Sequence, residues 1–251
     1  MSDINEEKTR AICIIPARGG SKRIPKKNRR PFIDRPVIRY SMDAARKTRI
    51  FDSVIVSSDD DKILSMAQHN GCQPHRRSGK AAADDATMLD ALLDVVGGLG
   101  EVFFEYICMV YACAPFITTE RLLEGYERIQ TGKYPVVYPI IPNSHHIEQT
   151  LVTGGDTVKM LWPKYKNYQG RMMRTYRHAG QWFWIRTKDM YRNLTLTPDD
   201  AGYVLLHWWE GHDIDTEEDW QEAEFKYEYM RRVKDGDTST RNILFVRDAD
   251  N

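Results

Sequence analysis

The 251-residue chain has no surplus of charge: 36 Lys and Arg stand against 36 Asp and Glu. That neutrality argues against a general nucleic-acid partner, which calls for an excess of basic side chains. Cysteine is scarce as well. Cys13, Cys72, Cys108 and Cys113 form no CxxC pair, so neither a zinc ribbon nor a secreted disulfide scaffold is expected. Apolar runs fall far short of the ~20 residues that a membrane span needs. The opening MSDINEEKTR is polar and acidic, the wrong chemistry for a targeting segment, so the expected location is cytoplasmic. Internal repeats and low-complexity tracts are missing too. What remains is a chain long enough to bury a full core without staples.

The neutral average conceals an uneven distribution. From Arg18 to Arg30 there are seven basic residues and no acid. From Asn193 to Phe225 there are ten acids and no Lys or Arg. Blocks of this kind mean that particular loops need one sign of charge.

The first half alternates strand and helix signals. Ala11–Ala17 is a nearly unbroken apolar run, as a strand covered on both faces should be. Pro36 opens a helix to about Lys47, and Ser53–Ser57 is a second strand. Asp59 or Asp60 can cap a helix over Lys62–Asn70, which Gly71 stops. Helices over Ala86–Gly97 and from Thr118 or Thr119 to Gln130 flank a strand at Tyr106–Tyr111, and Pro135–Ile141 is another strand. This alternation predicts an α/β fold, a mostly parallel sheet with helices on both faces. Segment 143–178 is polar without a long helix signal, and His178–Arg186 returns to strand character. Thr216 to Asp219 resembles a capping box before a helix over Trp220–Arg232. The tail from Lys234 reads as loose, apart from a short strand at Ile243–Val246.

Two segments carry chemistry. The first is Ile15-Pro16-Ala17-Arg18-Gly19-Gly20-Ser21-Lys22-Arg23-Ile24-Pro25-Lys26-Lys27-Asn28. Two glycines and a serine let backbone N–H groups approach phosphate oxygens, while Arg18, Lys22 and Lys27 add mobile positive charge. It matches neither a Walker A loop nor GxGxxG. A solvated basic loop would look similar, but its place after a buried first strand favours phosphate. The second is His212-Asp213-Ile214-Asp215-Thr216. Residues two apart in an extended segment point the same way, so Asp213 and Asp215 can present carboxylates to one Mg²⁺. Helix capping by Asp215 or Thr216 is the plainer alternative. Trp182, Trp184, Trp208 and Trp209 suit core or interface packing, and Cys108 and Cys113 read as inert thiols. The histidine pairs lack the spacing of a helical zinc site. Arg171, Arg174 and Arg177 form a second basic cluster suited to a carboxylate.

With IIPARGGSKRIPKKN in view, the chain resembles the cytidylyltransferases that activate nonulosonic, sialic-acid-like sugars as CMP-sugars. FDSVIVSSDD, YACAPFI, AGQWFW and DIDTEEDW agree in order, over about residues 11–232. AGQWFW, with Leu161-Trp162-Pro163 upstream, looks most like the pseudaminic acid branch. The resemblance implies a Rossmann-like nucleotidyltransferase (glycosyltransferase-A-like) fold in one domain, residues 11–232. It also implies an inserted segment at about 142–178 that serves a homodimer, followed by a tail at 233–251. It implies transfer of CMP from CTP to the anomeric hydroxyl of a nonulosonic acid, with Mg²⁺ as cofactor. By this resemblance Ala17, Arg18, Gly19, Gly20, Ser21, Lys22, Lys27 and Asn28 surround the CTP phosphates, and Arg77, or its neighbour Arg76, and Thr87 lie near the cytidine. Asp213 and Asp215 match the magnesium carboxylates. Tyr111, Gln181 and Arg177 fall on the sugar side, and Arg18, Lys22, Lys27 and Asp215 are the expected catalytic set. Two departures also lie on the sugar side: His178 stands where an Asp usually precedes AGQ, and His146-Ile147-Glu148-Gln149 replaces a segment with Arg. Ser57-Ser58-Asp59 replaces Ser-Thr-Asp.

Overall fold

A computed structural model describes residues 10–83, 85–100, 104–167, 170 and 172–234. The expected strand at Ile243–Val246 and the side chain of Arg171 lie outside these residues. The fully buried strand β1 (Ala11–Pro16) runs into the basic loop, which ends in a single 3-10 turn at Lys27–Arg29. A small ribbon, β2 (Pro31–Phe32) and β3 (Arg35–Pro36), leads to helix α1 (Ile38–Thr48). Pro36 therefore ends the ribbon rather than opening the helix. Then follow β4 (Ser53–Ser58), α2 (Asp61–His69), β5 (Gln73–Arg76), α3 (Met88–Gly98), β6 (Tyr106–Val110), α4 (Thr119–Gln130) and β7 (Val136–Pro142). A hairpin of β8 (Leu151–Gly154) and β9 (Thr157–Met160) stands off the main sheet. The chain returns through β10 (Tyr176–His178), β11 (Trp182–Arg186), α5 (Thr187–Asn193), β12 (Gly202–Leu205) and α6 (Glu217–Lys234).

The main sheet has the order β10-β7-β11-β6-β1-β4-β5, with β12 also on β7. Pairs β1–β4, β1–β6, β4–β5 and β7–β12 are parallel, while β10 and β11 run against their neighbours. The expected mostly parallel α/β sheet is therefore present. The expected strand over His178–Arg186 divides in two, because Gly180 at φ +67° turns the chain between β10 and β11.

One core lies under α1, α2 and α4, around Met42, Ile63, Leu122, Trp182 and Trp184; a second lies under α3 and α5, around Leu92, Val95 and Met190. Helix α4 approaches the sheet very closely at Gly125, where a Cβ would sit 2.4 Å from the Trp182 ring. A third, smaller cluster decides where the site forms. Ile24 and Phe32 from the basic loop and its ribbon pack with Ile214, Trp220 and Ala223 from the acidic segment and α6. Burying Phe32 and Trp220 contributes about 1.5–3 kcal/mol each, more than the screened surface ion pairs nearby. Among the described residues, no helix is long and apolar enough to cross a membrane.

Candidate active site

Strands β1, β4, β5 and β6 point their carboxyl ends to one edge of the sheet, and the chain reverses its direction of progress between β1 and β6. Crevices at such points are where open α/β sheets bind ligands. Here a cavity of about 420 Å³ is lined by Pro16, Arg18, Lys27, Asn28, Arg77, Thr87, Tyr111, Asp213 and Asp215, among others. A smaller cavity of about 300 Å³ shares Arg18, Lys27, Asn28 and Asp215 with it and adds Ser21, Lys22 and Arg23. Basic loop and acidic segment thus face each other across a single cleft.

The loop is held from beneath by β4 and its exit. Ala17 is wholly buried, and its N–H donates to Ser57 O at 2.8 Å. The Gly19 N–H donates to Asp59 Oδ1 at 2.7 Å, and Arg29 pairs with Asp60 at 3.0 Å. A Cβ on Gly19 would lie 2.8 Å from the Asp60 Cβ. Glycine at position 19 is thus required by close packing on Asp60. The Ser21 N–H donates back to Gly19 O at 3.1 Å, so the Gly19 and Ser21 amides are engaged within the protein. Positive side chains supply the charge around this cavity. Asn28 donates to Arg18 O at 2.9 Å and closes the loop on itself.

Across the cleft, Arg23 meets Asp215 Oδ1 at 2.8 Å, and Lys27 Nζ lies 3.5 Å from the same oxygen. Lys27 also donates to Ile214 O, and Arg30 grips Glu217 with two bonds of 2.7 Å. The capping reading of this segment is realised by Thr216. Its N–H donates to Asp219 Oδ2 at 2.7 Å and its hydroxyl accepts the Asp219 N–H at 3.2 Å, while Asp219 also accepts the Asp215 N–H. The Asp213 and Asp215 side chains are left to line the cavity. Two carboxylates are a donor set that suits Mg²⁺, which takes its other ligands from water and phosphate. Among the described residues, no group of three or more His, Cys, Asp or Glu is gathered around a metal-sized space.

The neighbouring arginines separate clearly. Arg77 is buried, lines the cavity, and donates to Ser57 O at 3.0 Å; burial lowers its pKa. Arg76 turns outward to Asp61 and donates to Asp59 O at 2.9 Å. Thr87 caps α3 in a capping box with Asp90, so its hydroxyl both donates to and accepts from that residue. The Tyr111 phenol is pushed up to about 12, first by burial and then by Asp213 and Asp215. It therefore stays protonated at neutral pH.

The chain has clear relatives among known proteins. A family model described as cytidylyltransferase matches residues 12–192. The chain belongs to the cytidylyltransferase family. It is a nucleotidyltransferase. A pseudaminic acid cytidylyltransferase of Campylobacter jejuni subsp. jejuni serotype O:23/36 is 29% identical over 224 residues, covering 86% of this chain and 95% of the relative. Its serotype O:2 counterpart is 29% identical over 202 residues, covering 77% and 86%. A solved CMP:2-keto-3-deoxy-manno-octonic acid synthetase complexed with CTP shares the fold. Its TM-score is 0.64 at 16% identity, covering 86% of this chain and 97% of that one.

In this cytidylyltransferase the sugar-side residues expected from sequence do not all converge. Tyr111 lines the cleft. Gln181 is buried, its amide nitrogen bonded to Glu210 O and its Oε1 without a partner. Arg177 is exposed on β10 and lines neither cavity, while Arg174 lines a separate hollow with His145, His146 and Trp208. The walls of the cleft are held by groups that sequence reasoning passed over. Asp59, read only as a helix cap, holds Gly19; Arg23 and the Ile214 carbonyl join the two charged segments. The SSDD run was the available signal for Asp59, since one of its two Asp residues was surplus to capping.

Proposed function

We propose that this cytidylyltransferase transfers CMP from CTP to the anomeric hydroxyl of a nonulosonic acid, with pseudaminic acid the favoured substrate. The observation that carries the reading is the single cleft uniting Arg18, Lys27, Asn28 and Arg77 with Tyr111, Asp213 and Asp215. The pseudaminic acid relatives, aligned over most of their own length, supply the sugar. The hydroxyl oxygen forms a bond to the α-phosphorus, the bond to the β-phosphate oxygen breaks, pyrophosphate leaves with the electron pair, and the hydroxyl proton is released to solvent.

Arg18, Lys22 and Lys27 offset the charge on the departing pyrophosphate, and most of the rate comes from positioning and charge stabilisation. Ala17, Gly19, Gly20, Ser21 and Asn28 shape the loop that carries those charges. Arg77 and Thr87 frame the nucleoside end. The protonated Tyr111 phenol offers a hydrogen bond to the sugar side, for which Gln181 and Arg177 are the further candidates. Asp213 and Asp215 would hold Mg²⁺, which when bound neutralises phosphate charge. The exposed Leu151, Val158, Leu161 and Trp162 of the hairpin region suit a homodimer contact. Use of CTP fits a cytoplasmic enzyme.

The test is pyrophosphate release with CTP and Mg²⁺ against pseudaminic, legionaminic and N-acetylneuraminic acids. Release with pseudaminic acid alone, or fastest with it, supports the reading, and preference for another acid reassigns the sugar. Silence with every acid favours a protein that keeps the nucleotide fold for binding only.

A further inference from the structure

Asp213 rests on backbone. Gly180, in the turn between β10 and β11, has φ +67°, and a Cβ placed on it would lie 3.3 Å from Asp213 Oδ1 and 3.4 Å from its Cγ. The preceding residue supports the same segment, since a Cβ on Gly211 would lie 3.1 Å from the Ala179 Cβ. The position of the turn therefore sets the position of the carboxylate.

His178 closes that turn. Its Nδ1 accepts the Gly180 N–H at 2.9 Å, which requires an unprotonated Nδ1 and places the ring proton of the neutral imidazole on Nε2. The ring is fixed by stacking on Phe183 at 4.5 Å between centroids and by contact with Tyr138 and Tyr111. Nε2 is buried and meets no partner in good hydrogen-bond geometry, with only the Trp182 backbone acting weakly on the ring. An apolar ring would fill this space without leaving a polar nitrogen unpaired, so packing alone does not account for histidine. The acceptor at Nδ1 does.

We infer that His178 is a positioning residue: by accepting the Gly180 N–H it fixes the turn on which Asp213 lies, and so presets that carboxylate for a divalent cation. The inference rests on the reading of Asp213 and Asp215 as the cation's ligands. His178→Phe keeps a ring on Phe183 and removes the acceptor. His178→Asn replaces Nδ1 with Oδ1, equally attached to Cγ.

Mn²⁺ titrated into the full-length protein, followed by water-proton relaxation, reads the site without turnover, and half-saturating Mg²⁺ in pyrophosphate release reads it again. Loss of one neutral hydrogen bond weakens Mn²⁺ binding in His178→Phe by about 5-fold, and His178→Asn returns to within about twofold of the parent. His178→Ala serves in the same comparison if the Phe variant does not fold. Parent-like Mn²⁺ binding in His178→Phe, or no rescue by Asn, overturns the role of His178. Parent protein that binds Mn²⁺ no better than Asp213→Asn overturns the cation reading itself, and the inference falls with it.

Discussion

Asp59→Ala separates a positioning account of the basic loop from a purely electrostatic one. Asp59 is exposed, and its Oδ1 accepts the Gly19 N–H at 2.7 Å. Hydrogen bonds to charged groups are worth about 1.5–3 kcal/mol, and exposure argues for the lower end. If that bond preorganises the loop, its loss costs about 1.5 kcal/mol at CTP binding, roughly tenfold in affinity. The same substitution removes a negative charge from the neighbourhood of the triphosphate. In a solvated site that relief is worth less than about 1 kcal/mol and acts in the opposite direction. Positioning therefore wins, and the expected net effect is a roughly 3- to 10-fold rise in KM for CTP with kcat nearly unchanged, because the ordering cost falls on ground and transition states alike. Asp59→Asn, which keeps an acceptor without the charge, should lie between parent and Asp59→Ala. The assay is steady-state pyrophosphate release across a CTP titration. A KM for CTP equal to or below the parent's in Asp59→Ala would refute the reasoning.

Other expectations follow from the same geometry. Lys22→Ala or Asp215→Ala should abolish CTP-dependent pyrophosphate release while circular dichroism shows a folded chain; full activity in either would sink the assignment. Burial lowers the His178 pKa to about 4, so between pH 6.5 and 4 the unfolded chain binds the extra proton and stability falls as the pH drops. The loss approaches on the order of 2–3 kcal/mol, and urea unfolding of His178→Asn should show a flatter profile over that window. Gly125→Ala would drive a methyl into the Trp182 and Trp184 rings. An overpacking cost of about 3 kcal/mol should lower the Tm by roughly 6–12 °C in a thermal melt.

Much of the fold was legible because its central strands are buried on both faces. AICIIP and YICMV read as unbroken apolar runs, and the helices beside them carry caps such as Asp60 and Thr118. Strand β5, with sequence QPHR, was not legible, because an edge strand with exposed side chains has no hydrophobic pattern to declare it. Strand β12 alternates buried and exposed over GYVL, but four residues are too few for a period of two to stand out. The hairpin of β8 and β9 is almost wholly exposed, so its register depends on its turn rather than on a core. In the cleft, the charged residues were found by local density. Their geometry was not, since the Arg23–Asp215 and Lys27–Ile214 contacts join positions 192 and 187 residues apart. Local pattern is silent about contacts of that range.

That separation bears on how the molecule is made. The third hydrophobic cluster cannot close until Trp220 and Ala223 have left the ribosome and packed against Phe32. By then β1, β4, β5, β6 and their helices, all complete by Gln130, have had the whole second half of translation in which to pair. A nascent or truncated chain ending near residue 210 therefore carries the basic loop and lacks its opposing wall. It would present the basic loop to any passing nucleotide while having neither Asp213 nor Asp215 to act with. Competence arrives late, in one docking event, and a chain cut short near residue 210 should be a folded sheet that cannot turn over CTP.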